Sequence, residues 1–141
     1  MKERIKIRLA GRYNAQVKAL YEACGWTNYT ADPGMLENAV KNSLCVMGAF
    51  DGDTLIGLAR AVGDGHSILY VQDLLLLPAY RRKGIGSNLL QALVMRYPRV
   101  YQTVLLTDDT PELQAFYEVN GFKRVNDMHL QAYARIRLPQ E

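Results

Sequence analysis

The chain has 141 residues, 49% hydrophobic and 22% charged, which suits one globular domain spanning 1–141 and leaves two separate cores marginal. Seventeen basic residues against fourteen acidic give a net charge of +3. That is too mild for a nucleic-acid binder, which needs a dense basic face, and no apolar run approaches the roughly 18 residues that cross a bilayer.

In chain order, residues 4–9 alternate charge and apolarity and predict an amphipathic strand. Tyr13 to Ala23 sets Val17, Leu20 and Tyr21 on one helical face, with Gly25 as a stop. Asp32-Pro33 reads as a cap followed by proline at the first helical position, and Met35, Leu36, Ala39, Val40 and Leu44 follow at helical spacing. Leu44 to Phe50, the turn Asp51-Gly52-Asp53, and Leu55 to Val62 form a predicted hairpin. After Gly63-Asp64-Gly65, Ser67 to Leu77 ends apolar on both faces, the pattern of a central strand covered on both sides.

A helix then starts at Gly84, carries Ile85, Leu89, Leu90, Leu93, Val94 and Tyr97 as its apolar stripe, and stops at Pro98. Val100 to Thr107 is the next strand. Thr110-Pro111-Glu112 caps a helix bearing Leu113, Phe116, Tyr117 and Val119, which closes at Asn120-Gly121. Phe122 to Val125 and Leu130 to Leu138 are read as two last strands. The order is that of an α/β protein: antiparallel hairpins, then strand–helix–strand–helix–strand over residues 67 to 125, where a right-handed parallel crossover is expected.

Met1 leads straight into Lys2-Glu3-Arg4, so no signal peptide is expected. Cys24 and Cys45 lie far apart among apolar neighbours and read as small buried thiols in a reducing cytoplasm. His66 and His129 have neither metal nor triad spacing and are expected at the surface. No metal is expected.

The chemistry concentrates in Leu77-Pro78-Ala79-Tyr80-Arg81-Arg82-Lys83-Gly84-Ile85-Gly86-Ser87. A helix N-terminus leaves backbone N–H groups unpaired and carries partial positive charge, so it attracts phosphate. Glycines at 84 and 86 let phosphate oxygens approach the backbone. The third glycine of the dinucleotide fingerprint would fall at Leu89, and the Gly-Lys-Ser/Thr of the NTPase loop is absent. A plain helix start remains the alternative.

Two stretches sharpen this reading. Asp73 to Gly86, with its core Arg81-x-x-Gly84-x-Gly86, resembles motif A of the GCN5-related N-acetyltransferases (the GNAT family). Downstream, Ala115-Phe116-Tyr117-Glu118-Val119-Asn120-Gly121-Phe122 resembles motif B, and the element order matches over nearly the whole chain. The resemblance implies the GNAT fold: a mixed, mostly antiparallel twisted sheet with parallel strands splayed at the CoA cleft and helices on both faces. It implies acetyl-CoA as co-substrate. Arg81, Arg82, Lys83, Gly84, Ile85, Gly86 and Ser87 would hold the pyrophosphate, and backbone groups of Leu74, Leu75 and Leu76 the pantetheine arm. Thr110 stands where many relatives carry an asparagine facing CoA, although helix capping also accounts for it, and Phe116 joins the cofactor side.

By the same resemblance Tyr117 is the acid that protonates the departing thiolate, while packing against Phe116 is its ordinary alternative. A backbone N–H near Leu75 or Leu76 would stabilise the oxyanion. Asp73 could serve as base and hold an incoming ammonium, or it could anchor a neighbouring loop. Asp108 and Asp109 lie at the end of the next strand and are expected to face the cleft, or to serve as loop and cap residues. Trp26 and Tyr29 could wall the amine site, or Trp26 could fill the core. The activity expected is acetyl transfer from acetyl-CoA to a primary amine, small molecule or peptide N-terminus, in a ternary complex. A silent acyl-CoA-binding module is the alternative, and a homodimer is possible.

Overall fold

The structure is a computed structural model describing residues 4–137. Its backbone contacts fall into two compact units, Met1–Leu106 and Thr107–Glu141. In the first, five strands stand side by side in sequence order: β1 (Ile5–Leu9), β2 (Cys45–Asp51), β3 (Thr54–Gly63), β4 (Ile68–Leu76) and β5 (Gln102–Leu105). Neighbours from β1 to β4 pair antiparallel, and β4 with β5 parallel. The parallel pair is joined through helix α4 (Ile85–Met95), as a parallel connection requires.

Between β1 and β2 lie α1 (Ala15–Ala23), α2 (Thr27–Thr30) and α3 (Pro33–Lys41). The short α2 occupies what the sequence marks as a link. Asn14 caps α1 by accepting from the N–H groups of Gln16 and Val17 at 2.9 and 3.1 Å. Asp32 caps α3 at Met35 N–H, 3.2 Å away, with Pro33 behind it.

One sheet face packs Leu58 and Leu75 under Val17, Leu20, Leu36 and Val40 of the first helices. The opposite face carries α4, whose Ile85, Leu89, Leu90 and Leu93 are buried. Gly57 is what lets α4 lie close: a Cβ there would stand 3.0 Å from Leu89 Cδ1 and 3.2 Å from the Leu75 carbonyl oxygen. Leu89 is fully buried and the carbonyl belongs to the sheet, so neither can yield cheaply. Gly57→Ala is expected to cost about 1–3 kcal/mol of stability in chemical denaturation.

The decisive irregularity is in β4. Arg60 pairs with Asp73 but Ala61 with Val71, so Gln72 is an extra residue, a β-bulge. Pairing with β5 ends at Val71 opposite Leu105. From Gln72 to Leu76, β4 therefore runs on with β3 as its sole strand partner. The strand expected at the centre of the sheet is the fourth of five, flanked on both sides only over its first half.

In the second unit α5 (Pro111–Val119) starts on Thr110, whose hydroxyl accepts from Leu113 N–H at 3.2 Å. The two last strands are not formed within the described residues. Val125–Met128 is a 3-10 turn, and residues 131–137 have no regular structure. The period-2 pattern of Leu130, Ala132, Ala134 and Ile136 is present, but a strand is held by a partner's ladder and this segment has none among the described residues. Leu138 lies outside the described residues.

Candidate active site

The bulge leaves one edge of β4 open, and strand geometry decides which groups face it. Leu77 N–H donates to the Ile56 carbonyl of β3 at 2.9 Å. Backbone polar groups alternate sides along a strand, so Leu75 also faces β3, while Leu74 and Leu76 turn their N–H and C=O groups to the open edge. Leu74 and Leu76 thus differ from the third leucine of the segment. Leu75 is bound into the sheet and its side chain into the core.

β4 leads through a short 3-10 turn, Pro78–Tyr80, into the basic loop. Gly84 is the N-cap of α4, at φ +82° and ψ +1°, and it supplies no capping side chain. Arg82 is likewise left-handed, at φ +63°. An anion-binding nest is built from residues of alternating hand, and Arg82 and Gly84 supply two left-handed positions one residue apart. The first bond of α4 runs from Asn88 N–H to the Gly84 carbonyl, and the N–H groups of Arg82, Lys83 and Gly84 donate to no carbonyl among the described residues. The space a Gly84 side chain would take is open. Arg81, Arg82 and Lys83 are exposed, and none joins an ion pair among the described residues. These features fit a pyrophosphate. Tyr80 fastens the loop by donating to Asp51 Oδ2 at 2.6 Å, the bond that first raises its pKa.

At Asp73 the geometry is that of the anchoring alternative. Its carboxylate is 2% exposed and is the hub of a closed network. Oδ2 accepts from Arg60 Nε at 2.7 Å and from Tyr21 hydroxyl at 2.8 Å; Oδ1 accepts from Tyr29 hydroxyl at 2.9 Å. Arg60, 4% exposed, also donates to the Ala39 carbonyl, Ser43 Oγ and Tyr29 oxygen. Burial works against the charge on Arg60, but Asp73 outweighs it and the pKa rises. Burial and Asp73 both raise the pKa of Tyr21 and Tyr29. A carboxylate so enclosed neither meets an ammonium nor takes a proton from one. Asp73 anchors α1, α2 and α3 to β3 and β4.

Tyr29 accordingly points its hydroxyl inward. Trp26 stacks on its ring, centroids 6.1 Å apart at 16°, and is half-buried. The α1 end reaches β4 through the Cys24 thiol, which donates to the Leu76 carbonyl at 3.5 Å. Cys24 is only half-buried, against the expectation of full burial, whereas Cys45 is buried.

In the second unit Tyr117 is half-buried between Phe116 and Phe122, edge-on to both at 5.0 and 5.9 Å. Burial raises its pKa over a lesser opposing bond from Thr107, which keeps the phenol protonated. Asp108 and Asp109 are exposed beside the α5 cap. His66 and His129 are exposed, and no metal-holding cluster occurs among the described residues. No described helix is long and apolar enough to cross a membrane.

Three network residues escape a motif reading: Arg60, Tyr21 and Gln72. Arg60 leaves a signal, since a lone arginine inside the apolar strand Leu55 to Val62 must find a buried partner.

Comparison with known proteins agrees with this architecture. No curated protein matches the chain in sequence. The acetyltransferase (GNAT) domain model matches residues 42–124. A GNAT-family acetyltransferase of Streptococcus pneumoniae is 38% identical, with TM-score 0.82 over 94% of this chain and 96% of that one. Two solved structures share the fold at lower identity. An aminoglycoside acetyltransferase from an uncultured soil sample, in complex with sisomicin, is 14% identical, with TM-score 0.65 over 96% and 99% of the two chains. AAC(6')-Iy, in complex with the bisubstrate analogue CoA-S-monomethyl-acetylneamine, is 18% identical, with TM-score 0.64 over 95% and 99%. With a matched family model over more than half its length and a 38% identical relative matched nearly end to end, this chain belongs to the GNAT acetyltransferase family.

Proposed function

We propose that this protein transfers an acetyl group from acetyl-CoA to a primary amine, small molecule or peptide N-terminus, by direct attack in a ternary complex. The observation that carries the reading is the open β4 edge leading directly into the cradle at the start of α4. An extended pantetheine arm would complete the ladder at Leu74 and Leu76, and the pyrophosphate would meet the N–H groups and cations of residues 81–87. Small-molecule amines as acceptors are supported by the sisomicin and acetylneamine complexes of proteins with this fold.

Acetyl-CoA supplies an activated thioester. The amine nitrogen, neutral and with its lone pair free, attacks the carbonyl carbon; the C–N bond forms as the carbonyl π pair moves to oxygen, and the C–S bond breaks when that pair returns and expels the thiolate. Charge gathering on the carbonyl oxygen is met by a β4 backbone N–H, with Leu76 the group turned to the open edge. Tyr117 gives its proton to the departing sulfur, the amine's surplus proton leaves to water, and the tyrosinate takes a proton back from water, so that amine and acetyl-CoA become amide and free CoA thiol. The Asp73 network keeps the helices beside the cleft fixed.

The test incubates the protein with acetyl-CoA and a panel of amines (2-phenylethylamine, spermidine, kanamycin, an alanyl peptide) and measures free thiol. Amine-dependent release is expected; tight acetyl-CoA binding without it would leave the silent binding module standing. Tyr117→Phe is expected to lower kcat about 10²-fold, with acetyl-CoA affinity measured by calorimetry unchanged. Undiminished turnover would remove Tyr117 from the chemistry.

A further inference from the structure

We propose that the side chain of Gln72 is the amine-binding group of the acceptor site, its Nε2 tethered to Tyr29 and its Oε1 receiving an N–H of the incoming amine. The inference rests on the acetyl-transfer reading above and names a residue that neither motif contains.

Its basis is the bulge. Gln72 is the inserted residue, so it and Asp73 both stand against Arg60, and both reach Tyr29. Asp73 is buried there, whereas Gln72 is exposed where β4 parts from β5. One residue braces the cleft from inside and the other presents a polar group to it.

Hydrogen-bond accounting fixes which end of the amide looks outward. Tyr29 has one hydroxyl proton, and it goes to Asp73 Oδ1 at 2.9 Å. The tyrosine oxygen is then left with acceptor capacity only. Arg60 Nη2 donates to it at 3.1 Å and Gln72 Nε2 at 3.4 Å. A flipped amide would set two acceptors face to face. With the NH₂ group turned to Tyr29, Oε1 is turned away from it.

That orientation suits an amine nucleophile. A carboxylate at this spot would stabilise the ammonium form, which has no lone pair to attack with. A neutral carbonyl oxygen accepts one N–H and leaves the lone pair free. The half-buried indole of Trp26, stacked on the same Tyr29, offers an apolar neighbour to the amine's carbon skeleton. The site thus selects a primary or secondary amine on an apolar or aromatic body and rejects tertiary amines, which have no N–H to give.

Gln72→Leu removes both polar groups at nearly constant size on an exposed position, so folding is spared. The expected result is a KM for 2-phenylethylamine raised about tenfold, the worth of one hydrogen bond, with KM for acetyl-CoA unchanged. Tyr29→Phe, which cuts the tether but leaves the amide, is expected to raise the amine KM while Gln72 is still present. An amine KM equal to the parent's in Gln72→Leu overturns the proposal. If the parent turns over no amine at all, the acetyl-transfer reading fails separately. The subsite is then read by NMR, following the Gln72 side-chain NH₂ signal, assigned by its loss in Gln72→Leu. A saturating shift on adding 2-phenylethylamine to the CoA-bound protein supports the subsite, and no shift at millimolar amine overturns it.

Discussion

Asp73→Ala is expected to lower the unfolding free energy by about 3–5 kcal/mol, a large share of what holds a domain of this size together. The loss comes less from the bonds removed than from what remains. Arg60, 4% exposed, would keep its charge without a counterion, and the hydroxyls of Tyr21 and Tyr29 would lose the acceptor they both use. A guanidinium cannot shed its proton to escape, so the site must open or admit water. The control is Arg60→Met with Asp73→Leu, which removes both charges at similar volume. Replacing a buried ion pair by packed apolar groups is often neutral, so the double variant should be more stable than Asp73→Ala alone. Denaturant titration of the three proteins decides: an Asp73→Ala variant within about 1 kcal/mol of the parent would mean that the network is not a structural anchor.

Gly84→Val is expected to weaken acetyl-CoA binding about 10–100-fold. The position sits at φ +82°, where a β-branched residue is strained by about 1–3 kcal/mol, and the chain relieves the strain by rotating that peptide. Rotation turns N–H groups of the nest away from the phosphate, while the arginines remain. Gly84→Ala should fall between the two. Isothermal titration with CoA separates affinity from turnover, and a dissociation constant for Gly84→Val equal to the parent's would remove the cradle from residues 81–87. Thermal unfolding should shift only modestly, because the space in front of Gly84 is open.

These two sites were legible in the sequence to different degrees. Gly84 announces itself: a glycine at a strand-to-helix boundary after three cations sets free backbone N–H groups beside positive charge, and both favour an anion. The helix starts at Asp32 and Thr110 were readable for the same local reason: a cap needs only its own next three residues. Asp73 was visible as a polar interruption of an apolar strand, with anchoring as one of two open roles, but its partners were not readable. An unbroken hairpin register would set Arg60 opposite Gln72, and only the bulge brings Asp73 there. Nothing local encodes a bulge at Val71-Gln72-Asp73, because it is fixed by how two strands and three helices settle together. The segment 130–137 failed the other way. Its alternation satisfies the local rule for a strand, yet the ladder partner the rule assumes is not in its unit.

The bulge has a consequence for how this protein tolerates change. Side chains in a strand are counted in whole residues, so an insertion of one flips the phase of everything after it. Upstream of Gln72 the chain can gain or lose residues in the exposed Asp64 turn and let the turn absorb them. Between Val71 and Leu74 it has no such freedom: a further residue added there would exchange the faces of Leu74, Leu75 and Leu76 and take Leu75 out of the core, while deleting Gln72 would restore an unbroken ladder and abolish the bulge itself. Side chains at Trp26 or Gln72 can therefore be exchanged without disturbing the register, whereas the length of β4 is locked. In this strand the spelling is negotiable and the number of letters is not.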